Sequence, residues 1–264
     1  MASEAENRQA FEVQAGYCDA MDAPVTGRVA RVLGRALSRD TRVGTRVLDW
    51  PGEPVADAVV LRLIGGLHAL HRRGADAALS QVFAGETGDV DAVMRDVLAR
   101  HDDTLWPWLD GPPQTNEVQR SAGLMTGLLH VVHAFAQPVE VLEIGSSAGL
   151  NLLIGRLRFD LGGVAAGPAA SPLTIRPAWR GPPPPIAPVV VQKAHGVDRA
   201  PVDVLDPAQA ERLAAYVWVD NDARQARLAA AIDMVRDGPV DLAKGDAADW
   251  VEDRLASPRR RRPA

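Results

Sequence analysis

The sequence predicts an α/β protein, with a doubly wound parallel sheet that follows a helical N-terminal region. Three observations predict this class: strand patterns occur only in the second half, helical patterns alternate with them, and a glycine-rich turn follows the first strand. The chain has 264 residues, of which 47% are hydrophobic and 24% are charged. This length and composition support a sizeable core.

Residues 1–111 are predicted to be helical. Apolar residues recur at three- and four-residue spacing in segments 7–21 and 24–40, and no strand pattern interrupts this region. Segment 56–74 is the most apolar helix candidate, with Gly74 as a plausible C-cap. Another helix candidate follows in the segment 90–109 and is ended by Pro107.

The second predicted domain, 112–256, opens at a Pro-Pro pair that breaks the preceding pattern. Thr115 or Asn116 is positioned to cap a helix that runs to about Phe135. A strand is expected from Val139 to Ile144. The next helix is expected from Ala148 to about Phe159.

Further along the chain, the proline- and glycine-rich segment Gly162–Pro188 predicts a long loop or lid. A second strand is expected at Val189–Asp198, then helices at Pro207–Val217 and Asp222–Arg236. A short third strand precedes the turn at Gly245 and Asp246. Ligands of such sheets bind at the carboxyl ends of the strands.

The turn in VEVLEIGSSAGLNLL has two interpretations. As a nucleotide cradle, Gly145 and Gly149 let the backbone approach a ligand, and the following helix offers free N–H groups. Glu143 would anchor a ligand amine, which suits S-adenosylmethionine better than a dinucleotide, because the full G-x-G-x-x-G is absent. Asp198 would accept the ribose hydroxyls and Asp246 the adenine amino group.

The alternative interpretation makes Ser147 the nucleophile of an α/β-hydrolase, since Gly145-x-Ser147-x-Gly149 also matches that elbow. His195 is the only histidine after Ser147, and Asp160 is the only acid between them. Asp160 is expected at the far end of the helix that Ser147 starts, where it could not complete a triad. The nucleotide cradle is therefore favoured, and a strand–turn–helix without a ligand also stays open.

Other polar residues were weighed as pocket or metal candidates. Asn116, Glu117 and Arg120, at the start of the helix that enters the sheet domain, either line the pocket or form a cap and an exposed face. Asn151 is a further pocket candidate. The histidine pairs at 68/71 and 130/133 lack accompanying acids or cysteines, so no metal site is predicted.

Four segments are distinctive: PPQTNEVQRSAGLMTGLL, LEIGSSAGLNLLIGRLRFD, GVDRAPVDVLDPAQAERLAAYVWVDN and GDAADW. Together they resemble an uncharacterised bacterial family catalogued as domain of unknown function 2332, itself similar to class I S-adenosylmethionine-dependent methyltransferases. The resemblance implies a Rossmann-like methyltransferase-type sheet. By position, Glu143, Gly145 and Gly149 match the glycine motif, with Ser147 where many methyltransferases have glycine. Asp198 matches the ribose-binding acid, and Asp246 the adenine-side acid.

The basic segment SPRRRRPA, residues 257–264, is either a solvated tail, a nucleic-acid arm, or a truncation or frameshift product. Members of the resembled family continue past this point with further strands, so the sheet is expected to be incomplete at the C-terminus. The strand Val139–Ile144 would then be an open edge through which the chain self-associates.

The bulk properties indicate a soluble cytoplasmic protein. The net charge of -5 argues against a nucleic-acid partner, the single Cys18 rules out an internal disulfide, and no apolar run is long enough for a membrane span. The predicted function is S-adenosylmethionine binding with methyl transfer to an unidentified small or macromolecular acceptor. The alternatives are a serine hydrolase using Ser147 and a non-catalytic binding module on a degenerate fold.

Overall fold

The computed structural model describes residues 2–85 and 88–256, which form two compact units. Unit 1 comprises the described residues up to Thr115 together with Glu211–Ala223, and unit 2 comprises Asn116–Ala210 with the described residues from Arg224 onward. The predicted domains, 1–111 and 112–256, divide the chain at a single point. They do not group the segment Glu211–Ala223 with the N-terminal residues, as the structure does.

Unit 1 is helical, as expected for this region. Its first helix is fixed by a capping box, in which the Ser3 and Glu6 side chains each bind the other residue's backbone N–H. Short helices that periodicity did not reveal complete the unit. The helices are α1 Glu4–Ala20, α2 Pro24–Ala36, α3 Arg42–Leu48, α4 Val59–Arg72, α5 Ala77–Ala84, α6 Val90–Arg100 and α7 Asp102–Leu105, followed by a 3₁₀ helix at Trp106–Leu109.

Helix α4 lies in the core of unit 1, and its burial explains its apolar sequence. It ends just before Gly74, whose φ of +61° is the left-handed conformation expected at such a helix end. A methyl group at Gly66 would lie 2.8 Å from Leu105 and 2.9 Å from Trp108. The glycine therefore lets the aromatic ring pack against the helix backbone.

Unit 2 contains a three-stranded parallel sheet, which confirms the α/β class. Its strands are β1 Val139–Ile144, β5 Val191–Asp198 and β6 Asp241–Lys244, in the order β1-β5-β6. Both ends of β1 were predicted correctly, because Pro138 and Gly145 flank its apolar segment. Among the described residues β1 pairs only with β5, so it is an edge strand of this sheet.

Two predictions for the segment between β1 and β5 were wrong: the helix from Ala148 to Phe159 and the irregular loop at Gly162–Pro188. Instead of a helix from Ala148 to Phe159, a short 3₁₀ helix spans Leu150–Gly155 and the chain then forms β2, Arg158–Leu161. Alternation explains the strand, since Phe159 and Leu161 are buried whereas Asp160 is exposed.

The segment expected to be an irregular loop, Gly162–Pro188, contributes two strands to a second small sheet. Strand β3, Val164–Ala166, forms a hairpin with β2, and β4, Thr174–Ile175, pairs parallel to β2. Gly162 and Gly163 both have positive φ and form the tight hairpin turn, a Gly-Gly signal that the overall glycine content obscured.

The helices of unit 2 follow the predicted order. They are α8 Ser121–Phe135, α9 Pro207–Ala215, α10 Asp222–Asp237 and α11 Ala247–Ala256, with α9 and α10 each partly assigned to unit 1. The expected cap at Thr115 or Asn116 was wrong. A 3₁₀ turn at Val118–Arg120 precedes α8, and the Glu117 side chain caps that turn by accepting from Gln119 N.

Within the part of the chain that the structure describes, no helix is long and apolar enough to cross a membrane. Residues 257–264, on which the expectation of a truncation or frameshift rests, lie outside the described residues.

Candidate functional site

The carboxyl ends of the three parallel strands carry the predicted site residues. Glu143 is paired in register with Gly196, and Asp198 ends β5 opposite Lys244 of β6. The turn after β1 and Asp246 after β6 follow directly. The strands are parallel, so these residues lie along one edge of the sheet, where ligands of α/β proteins bind.

The turn from Gly145 to Gly149 needs unusual backbone conformations. Gly145, Ser147 and Gly149 all have positive φ, at +67°, +53° and +70°. A side chain at Gly149 would be crowded, because its Cβ would lie 3.0 Å from Val240 Cγ2, whereas space beyond Gly145 is open. Serine in this conformation is strained, and such strain concentrates at functional sites.

Three buried side-chain atoms at this turn have no hydrogen-bond partner among the described residues: Glu143 Oε2, Ser147 Oγ and Asn151 Oδ1. The other ends of two of these side chains meet, because Asn151 Nδ2 donates to Glu143 Oε1 at 2.9 Å. An unpaired buried polar atom costs about 1–3 kcal/mol, and three of them lie between the end of β1 and the following 3₁₀ helix, which makes this turn the candidate binding site.

Burial also changes the acid chemistry of Glu143. It raises the pKa of this carboxyl above its ordinary value, although the hydrogen bond from Asn151 opposes the shift. The Ser146 hydroxyl donates to the Glu143 backbone carbonyl at 2.9 Å and fixes the strand end. Glu143 is thus a fixed, partly desolvated carboxyl whose charge a cationic ligand would stabilise.

Two of the backbone amides that were expected to be free for a ligand, one in the turn and one at the start of the following helix, already have partners. Ser147 N donates to Asp198 Oδ2 at 2.7 Å, and Leu150 N donates to Asn116 Oδ1 at 2.8 Å. Because the following segment is a short 3₁₀ helix, its dipole is also weaker than that of the expected α-helix. The unsatisfied groups at this edge are therefore oxygens, two of which can only accept hydrogen bonds.

Both downstream acids are engaged with their own loops. Asp198 accepts from Ser147 N and also from Ala200 N at 2.9 Å. Asp246 caps α11 by accepting from Ala248 N, and its hydrogen bond from Arg199 lowers the pKa of its exposed carboxyl. Each carboxylate keeps further lone pairs, so the ribose and adenine roles assigned to these residues stay predictions.

The segment Asn116–Arg120 reaches the turn through one residue. Asn116 binds the amide of Leu150, whereas Glu117 turns to the arginines Arg224 and Arg227 of α10. Arg120 is exposed. Of the three predicted pocket residues on this segment, only Asn116 contacts the turn directly, and its binding partner is remote in sequence.

The hydrolase interpretation gains no support from the surroundings of His195. Its Nδ1 shares a short hydrogen bond with Asp241, and its Nε2 lies 3.2 Å from Glu140 Oε1 without hydrogen-bond alignment. Asp160 lies on β2, in the other sheet, and not at the end of a helix started by Ser147. No contact in the described structure joins His195 to Ser147.

The cluster of His195 with the acids Glu140 and Asp241 was missed by sequence reasoning, since it depends on strand register. It borders a cavity of about 340 Å³ at the amino ends of β5 and β6, which also includes Arg156 and Lys193 in its lining. The lining also includes Val240, whose side chain lies beside Gly149 of the glycine turn. Among the described residues, no group of three or more histidine, cysteine or acidic side chains is arranged to hold a metal.

The family model described as "uncharacterized protein conserved in bacteria (DUF2332)" matches residues 8–263. The chain therefore belongs to this family. No curated protein and no solved structure matches the chain.

Proposed function

We propose that this member of the DUF2332 family binds S-adenosylmethionine at the turn Gly145–Gly149, for methyl transfer to an acceptor not yet identified. The observation that carries the proposal is the set of unpaired buried oxygens on Glu143, Ser147 and Asn151. A site that leaves such atoms unpaired in the free protein fits a ligand that supplies the missing donors.

The unpaired groups favour a ligand with N–H or O–H donors and a positive charge. Glu143 Oε2 and Asn151 Oδ1 accept hydrogen bonds only. The methionine part of S-adenosylmethionine carries an ammonium with three N–H donors, and its ribose carries two hydroxyls. When bound, this cofactor supplies an electrophilic methyl group, and the residues of the turn bind and orient it.

The same geometry disfavours a dinucleotide. Phosphates need free backbone amides at a helix start, but Asp198 and Asn116 already occupy two amides of this turn. The Asp198 carboxylate also places negative charge beside the turn, where a phosphate would be repelled. Asp198 orients the Ser147 amide and retains lone pairs for a ligand hydroxyl.

Calorimetry tests the proposal with S-adenosylmethionine, S-adenosylhomocysteine and a nicotinamide dinucleotide as probes. The first two are expected to bind and the dinucleotide is not. Glu143→Gln should weaken binding of S-adenosylmethionine about tenfold or more, which corresponds to about 1.4 kcal/mol. The matched control is Glu140→Gln on the same strand, which contacts His195 and not the turn.

Two results would overturn the proposal. One is the absence of heat of binding with S-adenosylmethionine and S-adenosylhomocysteine at folded wild-type protein. The other is equal weakening by the Glu143 and Glu140 variants. Binding without methyl transfer to any tested acceptor would favour the non-catalytic binding module over the transferase.

A further inference from the structure

Strand β1 has one edge without a partner among the described residues, since it pairs with β5 on the other side only. Its sequence, VEVLEI, contains no proline, glycine or lysine, and the register irregularity in its pairing with β5 lies at its first two residues, Val139 and Glu140. Natural edge strands usually carry such protection. This one offers its outer row of backbone N–H and C=O groups to another strand.

Apolar side chains accompany the open edge. Leu142 and Ile144 are 37% and 59% exposed on one face of β1. Phe135, the last residue of α8 and shortly before β1 in the chain, is 70% exposed. A strand of a parallel sheet is normally covered on both faces, and exposed apolar side chains beside an unpaired edge mark an interaction surface.

We propose that a second copy of this chain occupies the edge. The two β1 strands pair antiparallel about a two-fold axis and join two three-stranded sheets into one continuous sheet. The interaction is independent of the ligand proposal, because it uses the outer edge of β1 and the side chains of Leu142 and Ile144.

The charge pattern of β1 favours its own copy as the partner. In an antiparallel pair, opposed residues lie on the same face, and Glu140 and Glu143 lie on opposite faces of β1. In the register centred on Leu142, this residue faces Leu142 of the partner subunit, and Glu140 faces Ile144 of the partner subunit. No glutamate then faces a glutamate, and the two exposed Leu142 side chains meet across the two-fold axis.

Neighbouring registers are less favourable. Centring the pair on Glu140 or on Glu143 places like charges directly opposite, which is destabilising. Centring it on Val141 brings Pro138 into the pairing region, where proline has no N–H to donate. The register centred on Leu142 avoids both faults and uses the whole strand.

The test measures the molar mass of the full chain by light scattering and sedimentation over a range of concentrations. The wild type is expected to be a dimer that dissociates on dilution. Leu142→Glu should abolish the dimer, because two carboxylates then face each other beside Glu140. Leu142→Lys should weaken it. Ile186→Lys is the control, since Ile186 is 82% exposed and lies outside the strands.

A mixing experiment separates loss of pairing from loss of folding. An equimolar mixture of the Leu142→Glu and Leu142→Lys chains should restore a dimer, because opposite charges now face each other across the two-fold axis. A monomeric wild type at all concentrations, a dimer unaffected by Leu142→Glu, or a mixture that stays monomeric would each overturn the proposal. A wild type that forms larger open assemblies would also contradict a closed two-fold pair.

Discussion

Burial acts on two carboxyl groups, the buried Asp76 in unit 1 and the partly buried Glu143 in unit 2, but only the first is offset by hydrogen bonds to all of its oxygens. In unit 1, burial alone would raise the pKa of Asp76. Hydrogen bonds from Arg100, Leu79 N and His101 outweigh this effect and lower the pKa to about 2. In unit 2, burial raises the pKa of Glu143, and one of its oxygens has no partner among the described residues. The first carboxylate has its partners within the chain, and the second is the one that we propose pairs with a ligand.

The same contrast holds for the wider surroundings of each group. The unpaired buried atoms of unit 1, Asn7 Oδ1 and Tyr216 Oη, belong to residues with no shared neighbourhood in the sequence. In the described part of unit 2, three of the five such atoms belong to residues between Glu143 and Asn151, at the end of an edge strand, and the other two are His195 Nε2 and Arg227 Nε. Unpaired polar atoms that destabilise the fold and are grouped at one place are typical of a functional site.

The largest expected effect tests the buried core of unit 1 against an exposed position of unit 2. Leu63 on α4 is fully buried, so Leu63→Ala should lower the free energy of unfolding by about 3–4 kcal/mol. Leu255→Ala in unit 2 is the control, because Leu255 is 67% exposed and should cost less than about 0.5 kcal/mol. Urea unfolding followed by tryptophan fluorescence measures both, and equal costs would break the comparison.

The next effect concerns the compensated carboxylate. Asp76→Asn should cost about 2 kcal/mol, because a nearly buried acceptor of charged hydrogen bonds is lost. The folded pKa of Asp76 lies below its unfolded value, so its contribution is complete above about pH 4 and is lost as the pH falls toward 2.

The control for this prediction is Asp89→Asn. Asp89 caps α6 in the same way, by accepting from Ala92 N, but is exposed. Asp89→Asn should lower the free energy of unfolding by about 1 kcal/mol or less. Urea unfolding at several pH values compares the two variants, and a cost for Asp76→Asn that does not shrink below pH 4 would contradict the charge-based explanation.

A smaller effect tests the uncompensated carboxyl. A cationic ligand binds the ionised form of Glu143, whose free-protein pKa is raised, so the affinity for S-adenosylmethionine should fall on acidification. Well below that pKa, the affinity should fall about tenfold for each pH unit. Calorimetry between neutral and mildly acidic pH measures it. In Glu143→Gln the profile should be flat, and an unchanged slope would assign the titration to another group.

The smallest effect distinguishes two adjacent serines. Ser147 has a φ of +53° and an unpaired hydroxyl, so Ser147→Gly should raise stability by about 0.5 kcal/mol but weaken S-adenosylmethionine binding, because it removes one of the three unpaired oxygens that the proposal assigns to the ligand. Ser146 donates to the Glu143 carbonyl, so Ser146→Gly should cost about 1 kcal/mol. Thermal unfolding and calorimetry compare the pair. Labelling of Ser147 by a fluorophosphonate probe would instead support the hydrolase alternative.

Local patterns predicted much of the fold. The apolar run bounded by Pro138 and Gly145 located β1, and Asp222 located the start of α10. The hairpin Arg158–Ala166 was missed because high proline and glycine content obscured a short alternating pattern and its Gly-Gly turn. The short helix α5 was missed because eight residues hold too few turns for a clear period.

The sequence located the strand ends that carry the candidate site but not the contacts around them. Glu143, Asp198 and Asp246 were assigned to strand ends, and the strands do end there along one edge. That the amides of the turn are occupied was not foreseeable, because Asn116 and Asp198 reach the turn from far along the chain. No local signal in the sequence reports such a pairing.

The sequence by itself determined which segments are apolar, where glycine permits a tight turn and which acids follow each strand. These properties depend on neighbours in the chain, and periodicity and turn chemistry record them. The tertiary structure alone decided which polar atoms are paired and which are left without partners. Pairing depends on strand register and on contacts between distant residues, and so the unpaired oxygens of Glu143, Ser147 and Asn151 emerge only when the chain is folded.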